Sequence, residues 1–252
     1  MPPSSSRAVA AAASVMPWPL APCPGRRPAP KPRASLSAAR RRGPRGFTLV
    51  ELLAVVAVIA LLAGMLMPSL GSARASALKA RTRVQFSQWA AAMEQFRQEY
   101  GYYPVVGTDG RLATAADALK FVRTLGGRNP DGTAVAGAAD LNGNLKRLSF
   151  CAFADADFTD PGRPGGAPDY SGDELLRDAF GNTEIGVLVD RNGDGFIKPA
   201  DDGPVAAIRA ACGTAGLTPA ETDLPAAGVR AGALFYSAGR GTGPADLVLS
   251  WK

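Results

Sequence analysis

Histidine is absent from this 252-residue sequence, and cysteine occurs only three times. Histidine is the side chain that most often transfers protons or binds metals at neutral pH, so this chain lacks the residue usually found in both roles. The serines and carboxylates form no recognisable nucleophile–base pattern either. We therefore expect the chain not to be an enzyme, with no catalytic residues, and look to binding or structural functions.

Acidic residues are absent from the first 46 positions, which contain nine Lys and Arg residues. The whole chain has a formal net charge of +6, so the remainder is net acidic. The segment is also rich in Ala, Pro and Ser, a composition that predicts disorder. A basic segment directly before a hydrophobic run marks the cytoplasmic side of a membrane. The alternative is a nucleic-acid-binding tail, although Trp18 is its only aromatic residue.

The longest hydrophobic run extends from Phe47 to Met67 and contains one charge, Glu51. At about 1.5 Å per helical residue, the run is about 30 Å long and matches the hydrocarbon core of a bilayer. We therefore predict one transmembrane helix. A carboxylate in lipid costs a few kcal/mol and needs a partner. A cut between Gly46 and Phe47 would create an amine on the same helical face as Glu51.

A secretory signal peptide is the main alternative, with a small-residue cleavage site at Ala75-Ser76-Ala77 and a mature protein beginning at Leu78. The hydrophobic run exceeds the 7–15 residues typical of such signals, and Glu51 lies inside it. An uncleaved signal anchor is a further alternative.

The segment around the start of the run resembles the class III signal of type IV prepilins and of type II secretion pseudopilins. The residues that carry the resemblance are Arg45, Gly46, Phe47, Thr48, Leu49, Val50, Glu51 and Pro68. The resemblance implies cleavage after Gly46 by a prepilin peptidase, N-methylation of Phe47 and a role for Glu51 in assembly. The implied partners are the inner membrane, a homo-oligomeric filament with other pilins or pseudopilins and, indirectly, an assembly ATPase and a platform protein.

From this resemblance we expect three regions. Residues 1–46 would be a basic, disordered leader that is cleaved, residues 47–68 a transmembrane helix, and residues 69–252 a periplasmic pilin-like head that includes the second half of the long helix. The function would be that of a structural subunit of a type IV pilus or a type II secretion pseudopilus. The alternative is a minor pilin that binds DNA or a secretion substrate. The sequence leaves open whether the filament serves secretion, a pilus or competence.

Beyond the span, helix-forming residues continue to Tyr100, and Gly101 and Pro104 then stop the helix. Residues spaced by three and four form one aromatic stripe that we expect to lie in the core: Phe86, Trp89, Met93, Phe96 and Tyr100. Residues 114–125 repeat this apolar spacing and predict a second helix, which ends at Gly126 and Gly127.

The rest of the chain alternates strand-like and turn-like segments. The predicted strands are Lys146–Phe153, Thr183–Asp190, Gly228–Ser237 and Asp246–Trp251. Residues 154–173 are predicted to be a loop, and residues 204–212 are ambiguous between strand and helix. This order favours an α+β protein of the type IV pilin fold, with a small antiparallel sheet packed on the aromatic stripe.

One loop has the spacing of a calcium site. Side-chain oxygens alternate and are followed by Gly195, an arrangement similar to an EF-hand loop. The predicted ligands are Asp190, Asn192, Asp194, the backbone carbonyl of Phe196, and Asp201. Asp201 stands where the pattern has Glu, and Asp202 is a possible substitute. The alternative is a polar turn without metal.

Two of the three cysteines, Cys151 and Cys212, would lie outside the cytoplasm. There they could form a disulfide. Two buried free thiols are the alternative.

Overall fold

The computed structural model describes residues 46–252. Helix α1 covers Leu49–Tyr100 in 52 residues, which confirms the predicted long helix. Leu53–Lys252 forms one compact unit. Gly101 follows the helix with φ +83°, a left-handed conformation that glycine adopts at little cost.

The second half of α1 supplies the centre of the core. Phe86, Trp89, Met93 and Phe96 are each at most 2% exposed, and Tyr100 packs against the same cluster. The aromatic stripe predicted from sequence is therefore core. Burial of each large side chain in this stripe stabilises the fold by about 1.5–3 kcal/mol.

Helix α2 covers Ala115–Gly126 and is defined by its caps. The Thr114 side chain accepts a hydrogen bond from the Asp117 backbone N–H (3.1 Å), which satisfies a free donor of the first turn. Gly127 ends the helix in a left-handed conformation, and its N–H donates to the carbonyl of Arg123. The second predicted helix is thus confirmed.

Within residues 46–252, eight short strands lie between or after these helices. They are β1 Arg111–Leu112, β2 Phe158–Thr159, β3 Leu175–Leu176, β4 Ile185–Val189, β5 Phe196–Ile197, β6 Val229–Arg230, β7 Ala233–Ser237 and β8 Val248–Leu249. The main sheet has the order β1-β4-β7-β8, and β2-β3 and β5-β6 form separate pairs. Every pairing is antiparallel. Short 3₁₀ helices occur at Ala139–Leu141, Asp155–Asp157 and Pro244–Asp246.

Alternate residues of β4 and β7 enter two different cores. Val187 and Phe235 join the cluster on α1, and the Phe235 ring lies 6.0 Å from Phe86 and 5.7 Å from Trp89, centroid to centroid. Leu188 and Tyr236 point to the opposite face and join a second cluster that includes Leu249. A long helix followed by small antiparallel sheets is the α+β architecture predicted from the sequence.

Three of the strand predictions are confirmed in part or in full. Residues 183–190 contain β4, residues 228–237 contain β6 and β7, and residues 246–251 contain β8. Residues 204–212, which were ambiguous between strand and helix, form neither element. Ile208 forms an isolated bridge with Leu217.

The predicted strand at Lys146–Phe153 is wrong. The backbone N–H groups of Phe150 and Cys151 both donate to one carbonyl, that of Leu125 in α2 (2.8 and 3.1 Å), so the segment caps a helix instead of pairing with a strand. The loop prediction for residues 154–173 is wrong at β2, where Phe158 is 1% exposed and pairs with Leu176.

Candidate processing and assembly site

The start of α1 is held by a reciprocal pair of hydrogen bonds between Thr48 and Glu51. The Thr48 hydroxyl oxygen accepts from the Glu51 backbone N–H (3.2 Å), and Glu51 Oε2 accepts from the Thr48 N–H (3.1 Å) and hydroxyl (3.0 Å). This is a capping box, which satisfies donors that a helix start leaves free. Thr-x-x-Glu before an apolar run is the sequence signature of this motif, although no capping box was predicted here.

The two residues that flank the predicted cut are free of contacts that would hide them. Phe47 is 74% exposed. A Cβ added to Gly46 would meet no atom within 4 Å, and the backbone there is not left-handed. Nothing in the described fold therefore requires glycine at position 46.

The apolar first part of α1 exposes its large side chains in every direction. Eleven of them are at least half exposed: Leu49, Val50, Leu52, Leu53, Val55, Val56, Val58, Ile59, Leu61, Leu62 and Met65. Among the described residues, α1 is the one helix long and apolar enough to cross a membrane. A surface of this size needs an apolar environment.

A family model described as the prokaryotic N-terminal methylation motif matches residues 41–67. The chain carries the prepilin-type motif of type IV pilins and pseudopilins. No curated protein and no solved structure matches the chain. The prepilin-type motif supports a pilin-like or pseudopilin subunit that is processed by prepilin peptidase, and the apolar helix fits a membrane-anchored pilin. The leader predicted at residues 1–46 lies outside the described residues, except for Gly46.

Away from the prepilin-type motif, the loop after β4 folds around its own backbone. Asp190 is 3% exposed, and its two carboxylate oxygens accept from the N–H groups of Gly193 (2.7 Å) and Gly195 (2.9 Å). Asp202 is 1% exposed and accepts from the N–H groups of Arg191 and Lys198, both at 2.8 Å. These two buried carboxylates therefore hold the backbone of the loop in place through hydrogen bonds.

The other predicted calcium ligands have partners within the loop. The Lys198 ammonium lies 2.5 Å from Asp194 and 4.0 Å from Asp201, whose side chain is half exposed. Asn192 Oδ1 accepts from the Asp194 N–H (2.9 Å). No group of three or more His, Cys, Asp or Glu side chains is placed to hold a metal ion within residues 46–252. Lys198 offsets part of the negative charge of the loop, and calcium binding here stays a prediction.

The disulfide suggested for the two later cysteines is not formed, because both thiols are free. Cys151 packs against the core cluster on α1, whereas Cys212 is exposed near the carbonyl of Gly241 (3.4 Å). Burial raises the pKa of Cys151 to about 11. The pKa of Cys212 is lowered by a hydrogen bond with Thr214. The alternative of two buried thiols is therefore wrong for Cys212.

Proposed function

We propose that this protein is a pilin-like structural subunit that is cleaved after Gly46, methylated on Phe47 and assembled through Glu51 into a type IV pilus or a type II secretion pseudopilus. The observation that carries the proposal is the prepilin-type motif at the head of an exposed apolar helix. The N-terminus would be cytoplasmic, the helix would span the inner membrane, and the head would lie in the periplasm. Calcium is a proposed ligand of the head and is not needed for this role.

The open surroundings of Gly46 support the idea that a peptidase, and not the fold of the chain, requires glycine at this position. Its own fold would accept a side chain, so any requirement for glycine comes from a partner that binds this position. The predicted products are a leader that ends at Gly46 and a mature chain that begins with N-methyl-Phe47.

Mass spectrometry of the membrane-extracted protein tests the processing step. We expect an N-terminal peptide that begins with N-methyl-Phe47, and accumulation of uncleaved chain for Gly46→Leu. Gly64→Ala is the matched control, because its added Cβ also meets nothing within 4 Å but lies within the helix. A mature N-terminus at Leu78 would establish a secretory signal instead.

Glu51 could act through its charge or through the cap it forms with Thr48. After cleavage the new amine would lie on Phe47, next to Thr48, and could pair with the carboxylate in the same chain or in a neighbour. A charged pair satisfied in lipid would offset the cost of both charges. The cap, by contrast, needs only a hydrogen-bond acceptor, and Gln serves a capping box as Glu does.

Two substitutions separate these roles. Glu51→Gln keeps the cap and removes the charge, whereas Glu51→Ala removes both. If the charge drives assembly, both variants insert into the membrane normally but are lost from filaments, as measured by cross-linking and filament pull-down. Normal incorporation of Glu51→Gln together with loss of Glu51→Ala would show that the carboxylate acts as a helix cap and would refute the assembly role of its charge.

The function as a minor pilin that binds DNA or a secretion substrate stays a second prediction. No described feature of the head favours it over the structural role.

A further inference from the structure

A basic stretch of α1 has no acid beside it in the sequence. Residues 52–93 contain neither Asp nor Glu, but they contain Arg74, Lys79, Arg81 and Arg83. Lys79 and Arg83 are four residues apart, so they lie on one face of the helix, where like charges repel each other. Any anion that balances their charge therefore comes from outside this stretch of α1.

Lys79 and Arg83 line a pocket of about 210 Å³ between α1 and residues 244–252. Both residues are half-buried, and within residues 46–252 neither side chain has a hydrogen bond or an ion pair. Leu247 and Leu249 form part of the apolar wall of the pocket. Because an apolar wall lowers the local dielectric constant, the two cations attract an anion in the pocket more strongly than they would on an open surface.

The one acid among the residues that line this pocket already has a cation as its partner. The Asp223 carboxylate forms an ion pair with the ammonium group of Lys252, which also lines the pocket. The backbone carbonyl of Asp223 accepts from the Trp251 indole N–H (2.7 Å), which fixes this residue beside the C-terminal segment. Three cations and one acid give the lining a net side-chain charge of +2. The pocket therefore has two half-buried cations whose charge no acid in its lining balances.

We propose that this pocket binds an oxyanion of the phosphate class, with Lys79 and Arg83 as its ligands. The guanidinium group of arginine presents N–H donors in a plane that matches phosphate oxygens, and the ammonium group of lysine adds a compact positive charge. Lys252 stays paired with Asp223 and contributes less. The proposal does not rest on the pilin-like function, because it uses only the charges and the shape of the pocket.

Two sources supply this chemistry, a free phosphate and the headgroup of an anionic lipid. Lys79 lies about 18 Å beyond Met67, the end of the apolar run, at 1.5 Å per helical residue. The headgroup layer extends only about 5–7 Å beyond the hydrocarbon core of a bilayer. If α1 spans a membrane, a lipid headgroup therefore reaches the pocket only when the helix tilts, whereas free phosphate needs no membrane.

Acetylation of lysines in the full chain, followed residue by residue with mass spectrometry, tests the site. In detergent, millimolar inorganic phosphate should slow the acetylation of Lys79 more than chloride does at equal ionic strength. In lipid nanodiscs, phosphatidylglycerol mixed into phosphatidylcholine should slow it more than phosphatidylcholine alone. Lys120 is the internal reference, because it is half-buried in α2 and does not line the pocket.

Three substitutions in the pocket and one outside it define the ligands. Arg83→Gln should weaken the affinity for the anion about fivefold, the factor expected for the loss of one cation near an anionic group. Arg83→Lys should keep most of the protection, because it keeps the charge. Arg81→Gln is the matched control, since Arg81 lies on the same helix but does not line the pocket. Asp223→Asn releases Lys252 and should strengthen the protection of Lys79.

The two arms of the experiment identify the source of the anion. Protection by phosphate alone identifies a free anion, protection by phosphatidylglycerol alone identifies a lipid headgroup, and protection by both shows that the pocket accepts either. Unchanged acetylation of Lys79 in both arms would overturn the proposal. An equal loss of protection in Arg81→Gln and Arg83→Gln would also overturn it, because the effect would then come from the general charge of α1 and not from this pocket.

Discussion

Replacing Gly186 with alanine tests how the main sheet closes over its second core. Gly186 lies in β4 directly opposite Tyr236 in β7, and a Cβ at this position would overlap the tyrosine ring. Tyr236 has no exposed surface, and its hydroxyl donates to the carbonyl of Ala206 at 2.7 Å. The ring therefore cannot move aside without losing burial or this hydrogen bond.

The expected cost follows from these two losses. Forcing an extra methyl group into a packed core costs about 1–3 kcal/mol. Losing the buried hydrogen bond of Tyr236 adds about 1 kcal/mol. The total of about 2–4 kcal/mol corresponds to a fall in melting temperature of about 5–15 °C for a chain of this size.

Thermal unfolding of the full chain in detergent, followed by circular dichroism, measures this effect. Gly243→Ala is the matched control, because its φ of 179° is extended and an added Cβ meets nothing within 4 Å. In a Tyr236→Ala background the Gly186→Ala change should cost little, since the overlapping ring is gone. A cost that is the same in both backgrounds, or an unchanged melting temperature, would refute the argument.

Two further predictions concern the head. The melting temperature should be higher in millimolar calcium than in chelator. Binding stabilises the folded state by about 2.7 kcal/mol when calcium is a hundredfold above Kd. Asp190→Ala should reduce this rise, and Lys198→Met should lower the calcium concentration needed; if neither variant changes the response, the loop is only a turn. In alkylation followed by mass spectrometry, Cys212 should react first, because it is exposed and its pKa is lowered, whereas Cys151 should stay largely unreacted until the pH approaches its raised pKa of about 11. Equal rates at neutral pH would contradict this assignment.

Several features of this protein could be predicted from local sequence because short-range physics decides them. A helix long and apolar enough to cross a membrane follows from the length of an uninterrupted apolar run. Helix α2 follows from Thr114 and Gly127 at its ends, and strand β4 from an apolar run bounded by polar residues. The capping box of Thr48 and Glu51 was equally local and could have been found by the same reasoning.

What the sequence alone determined is a long helix with a prepilin-type start that is apolar enough to cross a membrane, an aromatic stripe that is buried, and a second helix with strands. Tertiary structure decided which backbone groups pair over long distances. Two segments with a similar apolar pattern have different structures. One forms β4, which pairs with β7, whereas in the other the N–H groups of Phe150 and Cys151 both donate to the carbonyl of Leu125 at the end of α2. Tertiary structure also decided that Asp202 closes the loop after β4 while Asp201 stays exposed, because adjacent carboxylates have the same chemistry and only the fold determines which one turns inward.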